Sequence, residues 1–430
     1  MSTATTLNIK EKYNDNYLAF ALASYILLLM FFGRFEAFQE ISIWVIGPIF
    51  SVLVIANYAK RPFDIPKEVM LLGIFWLWVF PGYFMVLDFD GYFRYVRLLF
   101  TIIVLFFCVE IVMVKTGNIN LICKALILNS LLFCAYNYIV GGFSPEEGNE
   151  FWRLKGLDQT SNGFAIFSLV GLIGVLFLWR EAKSLPSKIF YILSIVLFVT
   201  TIILTASRST FITALIIFGL WVLLCYKEKF VNNMFIFVFL LILSSSIVWF
   251  GYSYIMDETY LGDRFGKISE SDEDLTGEVR FLLYEEGFEM FKESPLYGVG
   301  LSQFKARSVF NSYSHSLYME LLSTTGLGGF LIMLTFYVVI FRRVQKLKKV
   351  IKNKDVLYKL NFSTAVLIGL AIFGLFNVSF LDIVIMLQFA IVAGYSSYLV
   401  HQYREYIDEE LVREKYSKLF NSPKTSSQIS

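Results

Sequence analysis

The chain has 430 residues, 57% of them hydrophobic and only 17% charged, with a formal net charge of +2. A soluble domain carries about a quarter charged residues, so this balance excludes an ordinary soluble domain, and the near-neutral charge offers no field for nucleic acid. The apolar residues gather in blocks of roughly 20, the length that carries a helix across the hydrocarbon core. Lipid leaves backbone groups to bond only internally, and strand alternation is absent, so helices are expected rather than an outer-membrane barrel.

In chain order, Met1–Asn16 is polar and lacks a cleavable signal pattern, so the first span is expected to act as an uncleaved anchor. The apolar blocks predict about twelve spans. They run Tyr17–Phe32, Ile41–Ala59, Glu68–Leu87, Phe93–Val114, Ile119–Val140, Ser161–Trp179, Lys188–Thr205, Ser209–Tyr226, Met234–Tyr254, Tyr313–Phe341, Leu360–Phe376 and Leu381–Val400. The expected fold is an all-α polytopic transmembrane bundle. It forms one transmembrane domain over residues 1–402, with a large extracytoplasmic loop at 253–312 and a partly disordered cytoplasmic tail at 403–430. Cys108, Cys123, Cys134 and Cys225 all fall in or beside apolar blocks and read as free thiols.

Orientation follows the lysines and arginines of the short loops. Lys60, Arg61 and Lys67, then Lys115, then Arg180, Lys183 and Lys188, then Lys227 and Lys229, then the run Arg342 to Lys354 all fall on one side, with both termini. That side is expected to be cytoplasmic. The opposite face carries few lysines but holds Arg34, Arg94, Arg97, Arg153, Arg208, Arg264, Arg280 and Arg307. Arginine's planar fork suits phosphate and carboxylate oxygens. Headgroup contact or internal ion pairing is the plainer use of any one of them. Arg208 stands in Ser207-Arg208-Ser209 with almost no loop around it, at a boundary where a charge needs a partner or water. Arg94 and Arg97 share a helix face beside Asp88 and Asp90, which can pair with them.

The long outer loop contains a helix signal. Phe281, Tyr284, Phe288 and Phe291 recur at spacings of three and four after Arg280, and Pro295 ends the pattern before Gly298 and Gly300. Such a helix can lie on the membrane surface and roof a cavity. The acidic run Ser269–Asp274 reads as a solvated loop tip. His315, one of two histidines, stands where the loop re-enters the membrane, and histidine is the usual base near neutral pH. Glu320, five residues on, is an intramembrane carboxylate expected to line a cavity or pair, on a different helix face from His315. Two histidines make no dedicated zinc site unless carboxylates supply the rest, and no phosphate-binding glycine loop is present on the predicted cytoplasmic side, so no cofactor is expected.

Three segments together resemble the O-antigen polymerase and O-antigen ligase superfamily of bacterial envelope enzymes. They are Ser207-Arg208-Ser209, then Arg280 with Pro295-Leu296-Tyr297-Gly298-Val299-Gly300, then His315-Ser316-Leu317-Tyr318 with Glu320 and Gly326-Leu327-Gly328-Gly329. Asp158–Ala165 resembles a weaker polar lead-in to a middle span, and Ser316 departs from the asparagine that often follows the family's histidine. The resemblance implies transfer of glycans from undecaprenyl pyrophosphate on the outer leaflet of the inner membrane, without a metal. It assigns Arg208 and Arg280 to the pyrophosphate and His315 to the acceptor hydroxyl, with Arg94, Arg97, Tyr318 and Glu320 as accessory candidates. Joining of lipid-linked repeat units (a polymerase, with a chain-length regulator as a possible partner protein) is the preferred expectation. Transfer to a lipid core or a protein (a ligase) and lipid-linked glycan flipping are the alternatives.

Overall fold

A computed structural model describes residues 16–35, 38, 41–60, 63–141, 143–145, 152–154, 161–232 and 275–404. The predicted span Met234–Tyr254, the acidic run Ser269–Asp274, Arg264, and the terminal tails up to residue 15 and from residue 405 lie outside them, as do the side chains of Arg34 and Arg153. The chain is an all-α, multi-pass membrane protein. Among the described residues nine helices are long and apolar enough to cross a membrane, and Asn16–Met30 is a shorter apolar helix.

The helices are α1 (Asn16–Met30), α2 (Gly47–Lys60), α3 (Lys67–Trp78), α4 (Phe89–Thr116), α5 (Ile119–Tyr136), α6 (Ser161–Leu178), α7 (Leu185–Leu204), α8 (Arg208–Asn232), α9 (Leu275–Glu293), α10 (Gln303–Arg307), α11 (Leu317–Val350), α12 (Lys354–Phe373) and α13 (Ile383–Gln402). A π-helical turn, Ser42–Ile46, runs straight into α2, so the predicted second span is one continuous rod. The departure from pure helix is a small antiparallel pair, β1 (Phe143–Pro145) and β2 (Trp152–Leu154), in the predicted outer loop.

Helix boundaries follow capping chemistry. A side-chain oxygen at the N-cap satisfies one of the first orphan N–H groups. Asp88 accepts from Gly91 N at 2.9 Å to open α4, Asn118 from Leu121 N at 3.2 Å to open α5, and Asp382 from Val384 N at 2.8 Å to open α13. Asp88 is therefore a helix cap.

The best apolar windows of α6 and α13 are 89% and 83% buried, against 28% for α7 and α8. The first two form the middle of the bundle and the last two its lipid-facing rim. All four cysteines are free thiols, as expected.

Helix α11 departs from its predicted span in two ways. It continues nine residues past Phe341, so Arg343 is helical rather than a solvated loop charge. The Arg343 guanidinium turns into the bundle, donating to Glu68 of α3 and, through Nε, to Ser396 Oγ of α13 at 2.8 Å. Helix α11 also breaks at Gly326 (φ 64°, ψ −172°), within the Gly326–Gly329 motif. The Pro295–Gly300 segment fills that break. Leu327 N donates to Pro295 O at 2.8 Å and Gly328 N to Leu296 O at 3.3 Å, while Val299 N and Gly300 N donate to Ser323 O and Thr324 O at 2.9 and 3.1 Å. Backbone groups freed by a broken helix must find partners within the protein, and this outer segment supplies them. A Cβ on Gly298 or on Gly326 would lie 2.3 Å from the facing backbone, so the two glycines are what let the strands of chain approach.

Candidate functional site

The site lies at the end of the bundle where α8 and α11 begin and α12 ends. Leu317 N donates to Gly374 O at 2.7 Å and the Tyr318 hydroxyl to Ala371 O at 2.8 Å, which bolts the start of α11 to the end of α12. Tyr318 is thus a tie between helices. Immediately before α11 the chain makes a tight turn in which His315 holds φ 55°, the left-handed region that non-glycine residues rarely occupy. Glu320 sustains that turn. Its carboxylate, buried one turn into α11, accepts from Ser314 N at 3.1 Å and from Ser314 Oγ at 2.8 Å. Glu320 reaches the turn through Ser314, because His315 precedes the helix and the chain doubles back over Glu320. His315 Nε2 lies 3.3 Å from Ser312 Oγ, and its ring meets Tyr313 edge-on at 5.7 Å between centroids.

Helix α9 covers this turn. Its inward face is Val279, Leu283, Gly287 and Met290; Leu283 and Met290 cluster with Val299 and Phe304, and Val279 and Met319 pack against that cluster. The predicted aromatic stripe is real but faces elsewhere. Phe281 and Phe288 are exposed, while Tyr284 and Phe291 are half-buried. The helix therefore has an aromatic face beside its buried face, as a helix lying along a membrane surface requires. The Tyr284 hydroxyl donates to Leu375 O at 3.5 Å, and Glu286 Oε1 accepts from Val309 N at 3.1 Å, which ties α9 to both sides of the turn.

Arg280 sits between these two faces, half-buried, close enough to act on His315. Burial pushes the His315 imidazole below its ordinary 6.5, and the Arg280 guanidinium pushes it further the same way. Two residues that the sequence keeps 35 positions apart thus share one environment. Arg208 opens α8, half-buried, directly after Ala206 in the left-handed region at φ 51°. Helices α8 and α12 run antiparallel: Ile217 abuts Gly369, and Cys225 Sγ lies 3.6 Å from Tyr358 O. That register puts Arg208 at the same end of the bundle as Gly374 and the His315 turn.

Arg94 and Arg97 are exposed on the first turns of α4, and Arg97 Nε donates to Phe93 O at 3.3 Å. Tyr95 between them feels the charges of Arg94 and Glu320 and the Tyr313 hydroxyl, so the start of α4 borders the His315 turn. Arg307 is a tie rather than a ligand donor, bonding Glu293 at 2.7 Å and Met85 O at 2.8 Å. Sequence reasoning missed Gln303. Its Oε1 accepts from Leu87 N and Asp88 N at 2.7 and 2.9 Å, and its Nε2 donates to Asp88 O at 2.9 Å, fastening the outer segment to the α3–α4 connection. A lone glutamine beside two glycines carries no signal of such a contact. Among the described residues no group of histidine, cysteine and carboxylate side chains is arranged to hold a metal ion.

Residues 193–334 match the O-antigen ligase family model. The match bears out the resemblance to the O-antigen polymerase and ligase superfamily. It spans Arg208, Arg280, His315 and both halves of the interlock at Gly326. No curated protein matches the chain. A chain from a solved structure described as "Structural coordination of polymerization and crosslinking by a peptidoglycan synthase complex" is similar over 80% of this chain and 99% of that chain, at 15% identity and a TM-score of 0.44.

Proposed function

We propose that this member of the O-antigen polymerase and ligase superfamily is a membrane glycosyltransferase that joins glycan repeat units carried on undecaprenyl pyrophosphate. The observation that carries the reading is the shared environment of Arg280 and His315 at the end of the bundle where α8 presents Arg208. In the transfer, an acceptor hydroxyl oxygen attacks the anomeric carbon of the donor sugar. The bond from that carbon to the pyrophosphate oxygen breaks, and its electron pair leaves with the pyrophosphate.

Two needs follow, and the candidate residues meet each. Charge that develops on the leaving group is stabilised by cationic donors already in place, a role for Arg208 and Arg280. The hydroxyl must lose its proton as it attacks, a role for His315. Burial and the neighbouring Arg280 both keep the imidazole neutral, which is the form able to accept that proton. Glu320 and Tyr318 act as positioning residues, and the exposed Arg94 and Arg97 stand at the rim, where they can meet an approaching anionic donor. On this reading the His315 end faces away from the cytoplasm, the lysine-rich end and both termini face the cytoplasm, and the membrane is the bacterial inner membrane. A chain-length regulator is the partner protein a polymerase would use.

The acceptor separates polymerase from ligase. Purified protein in lipid is supplied with lipid-linked repeat units alone, and products are resolved by size. A ladder of longer lipid-linked glycans supports the polymerase. Product only after addition of a lipid core or a protein acceptor supports the ligase instead. Movement of substrate between leaflets without any new glycosidic bond overturns the enzyme reading.

A further inference from the structure

At the opposite, lysine-rich end of the bundle lies a charged cluster that the proposed transfer does not use. Glu68 of α3 and Glu110 of α4 are both 0% exposed. The Arg343 guanidinium donates to Glu68 and stands 3.9 Å from Glu110 Oε1. The Glu68 and Glu110 carboxyl groups face one another, with the Ser397 hydroxyl of α13 beside Glu110. Ser396 Oγ accepts from Arg343 Nε at 2.8 Å and Ala393 O from Arg343 Nη2 at 3.4 Å. Among the described residues the charged groups of Glu68 and Arg343 act on Glu110.

Two features of this cluster are unbalanced. With both carboxylates ionised it holds two negative charges against one positive charge, in the interior of a membrane bundle, where an uncompensated charge is expensive. Four of its oxygens, Glu68 Oε2, both of Glu110 and Ser397 Oγ, are buried without a hydrogen-bond partner among the described residues. Ionised carboxylates only accept hydrogen bonds, so two that face one another cannot bond. One added proton corrects both faults: the cluster becomes neutral, and a carboxylic acid O–H can donate to the facing carboxylate while Ser397 Oγ donates to the remaining Glu110 oxygen.

We propose that Glu68 and Glu110 form a proton-binding site, with one proton shared between them and Glu110 carrying it as a neutral acid against the Arg343-paired Glu68 carboxylate. The site joins α3, α4, α11 and α13 at this end of the bundle. When the proton leaves as pH rises, two carboxylates face one guanidinium and the packing of α3 on α4 is weakened. Its ligand is the proton alone. Helix α11 carries Arg343 near one end and follows the His315 turn at the other, yet the inference does not depend on the proposed glycosyl transfer.

The test uses the purified full-length chain in detergent, with infrared spectroscopy for the protonated-carboxyl stretch and thermal unfolding as a function of pH. The wild type is expected to show a buried protonated-carboxyl band at neutral pH that disappears in E110Q. It also disappears in E68Q, where Glu110 ionises to balance Arg343. E110Q, whose amide can donate to Glu68, is expected to unfold at the wild-type temperature at neutral pH and to lose the fall in unfolding temperature that the wild type shows as pH rises. A band absent from the wild type, or unchanged in E110Q, overturns the proposal. So does E110Q unfolding far below the wild type at neutral pH. Stabilisation of the wild type but not of E110Q by sodium also overturns it, since the site would then hold a metal cation.

Discussion

Replacing Gly326 by alanine probes the interlock that joins the outer segment to α11. At φ 64° and ψ −172° the residue occupies a region essentially restricted to glycine, and holding another residue there costs on the order of 1–3 kcal/mol. The new Cβ would sit 2.3 Å from Leu296 O and 2.4 Å from Leu296 C, so the Pro295–Gly298 turn must withdraw. Withdrawal breaks the Leu327 N to Pro295 O and Gly328 N to Leu296 O bonds, each contributing about 0.5–1.5 kcal/mol. The expected loss is therefore about 2–6 kcal/mol, a large fraction of the stability of a typical fold. Gly73 is the control, a mid-helix glycine whose added Cβ would meet nothing within 4 Å. Gly73→Ala is expected to be neutral or to stabilise by up to about 1 kcal/mol. Thermal unfolding of both variants in the same detergent decides the matter: equal midpoints would refute the interlock as a stabilising feature.

Three further perturbations address the site. Because burial and, second to it, Arg280 hold His315 below 6.5, its base form is lost only at low pH, and the acid limb of the pH–rate profile should lie below that value. Arg280→Gln removes the cation, so the limb of the residual activity should move toward higher pH; an unmoved limb would show that Arg280 does not act on His315. Glu320→Ala leaves the buried Ser314 N–H unsatisfied, while the Ser314 hydroxyl keeps Ser316 O, at a cost of about 1–3 kcal/mol, and should lower both kcat and unfolding temperature. Glu320→Gln, whose carbonyl still accepts, should recover most of the loss, and equal damage from both variants would rule out the hydrogen-bonding role. Gln303→Ala removes the three bonds that fasten the outer segment to Leu87 and Asp88, worth about 1–4 kcal/mol together. It should speed proteolysis of the exposed residues after Ser308, and an unchanged cleavage rate would contradict it.

Most spans were legible because hydropathy reports burial in lipid directly. The candidate arginines and His315 were legible as residues, from motif order. Their arrangement was not. The break at Gly326 lay hidden inside a predicted span because the partner that rescues its free backbone groups lies some 30 residues earlier in the chain. The aromatic stripe of α9 was visible as periodicity, but periodicity does not say which stripe meets protein, and the less conspicuous Val279, Leu283 and Met290 pack inward. Arg343 was counted among loop charges because the positive-inside rule weighs sequence position, whereas a long side chain one turn beyond a span can reach back to Glu68.

In the proposed mechanism His315 takes the acceptor's proton beside Arg208 and Arg280. That step is tested most directly by supplying lipid-linked repeat units to purified His315→Ala, matched to the wild type for folded protein in lipid, and measuring formation of new glycosidic bonds together with donor binding. Glycan transfer is expected to fall by about the 10²–10⁴-fold typical of a general base, while donor binding, assigned to the arginines, is retained. Full-length glycan made at the wild-type rate by His315→Ala would contradict it.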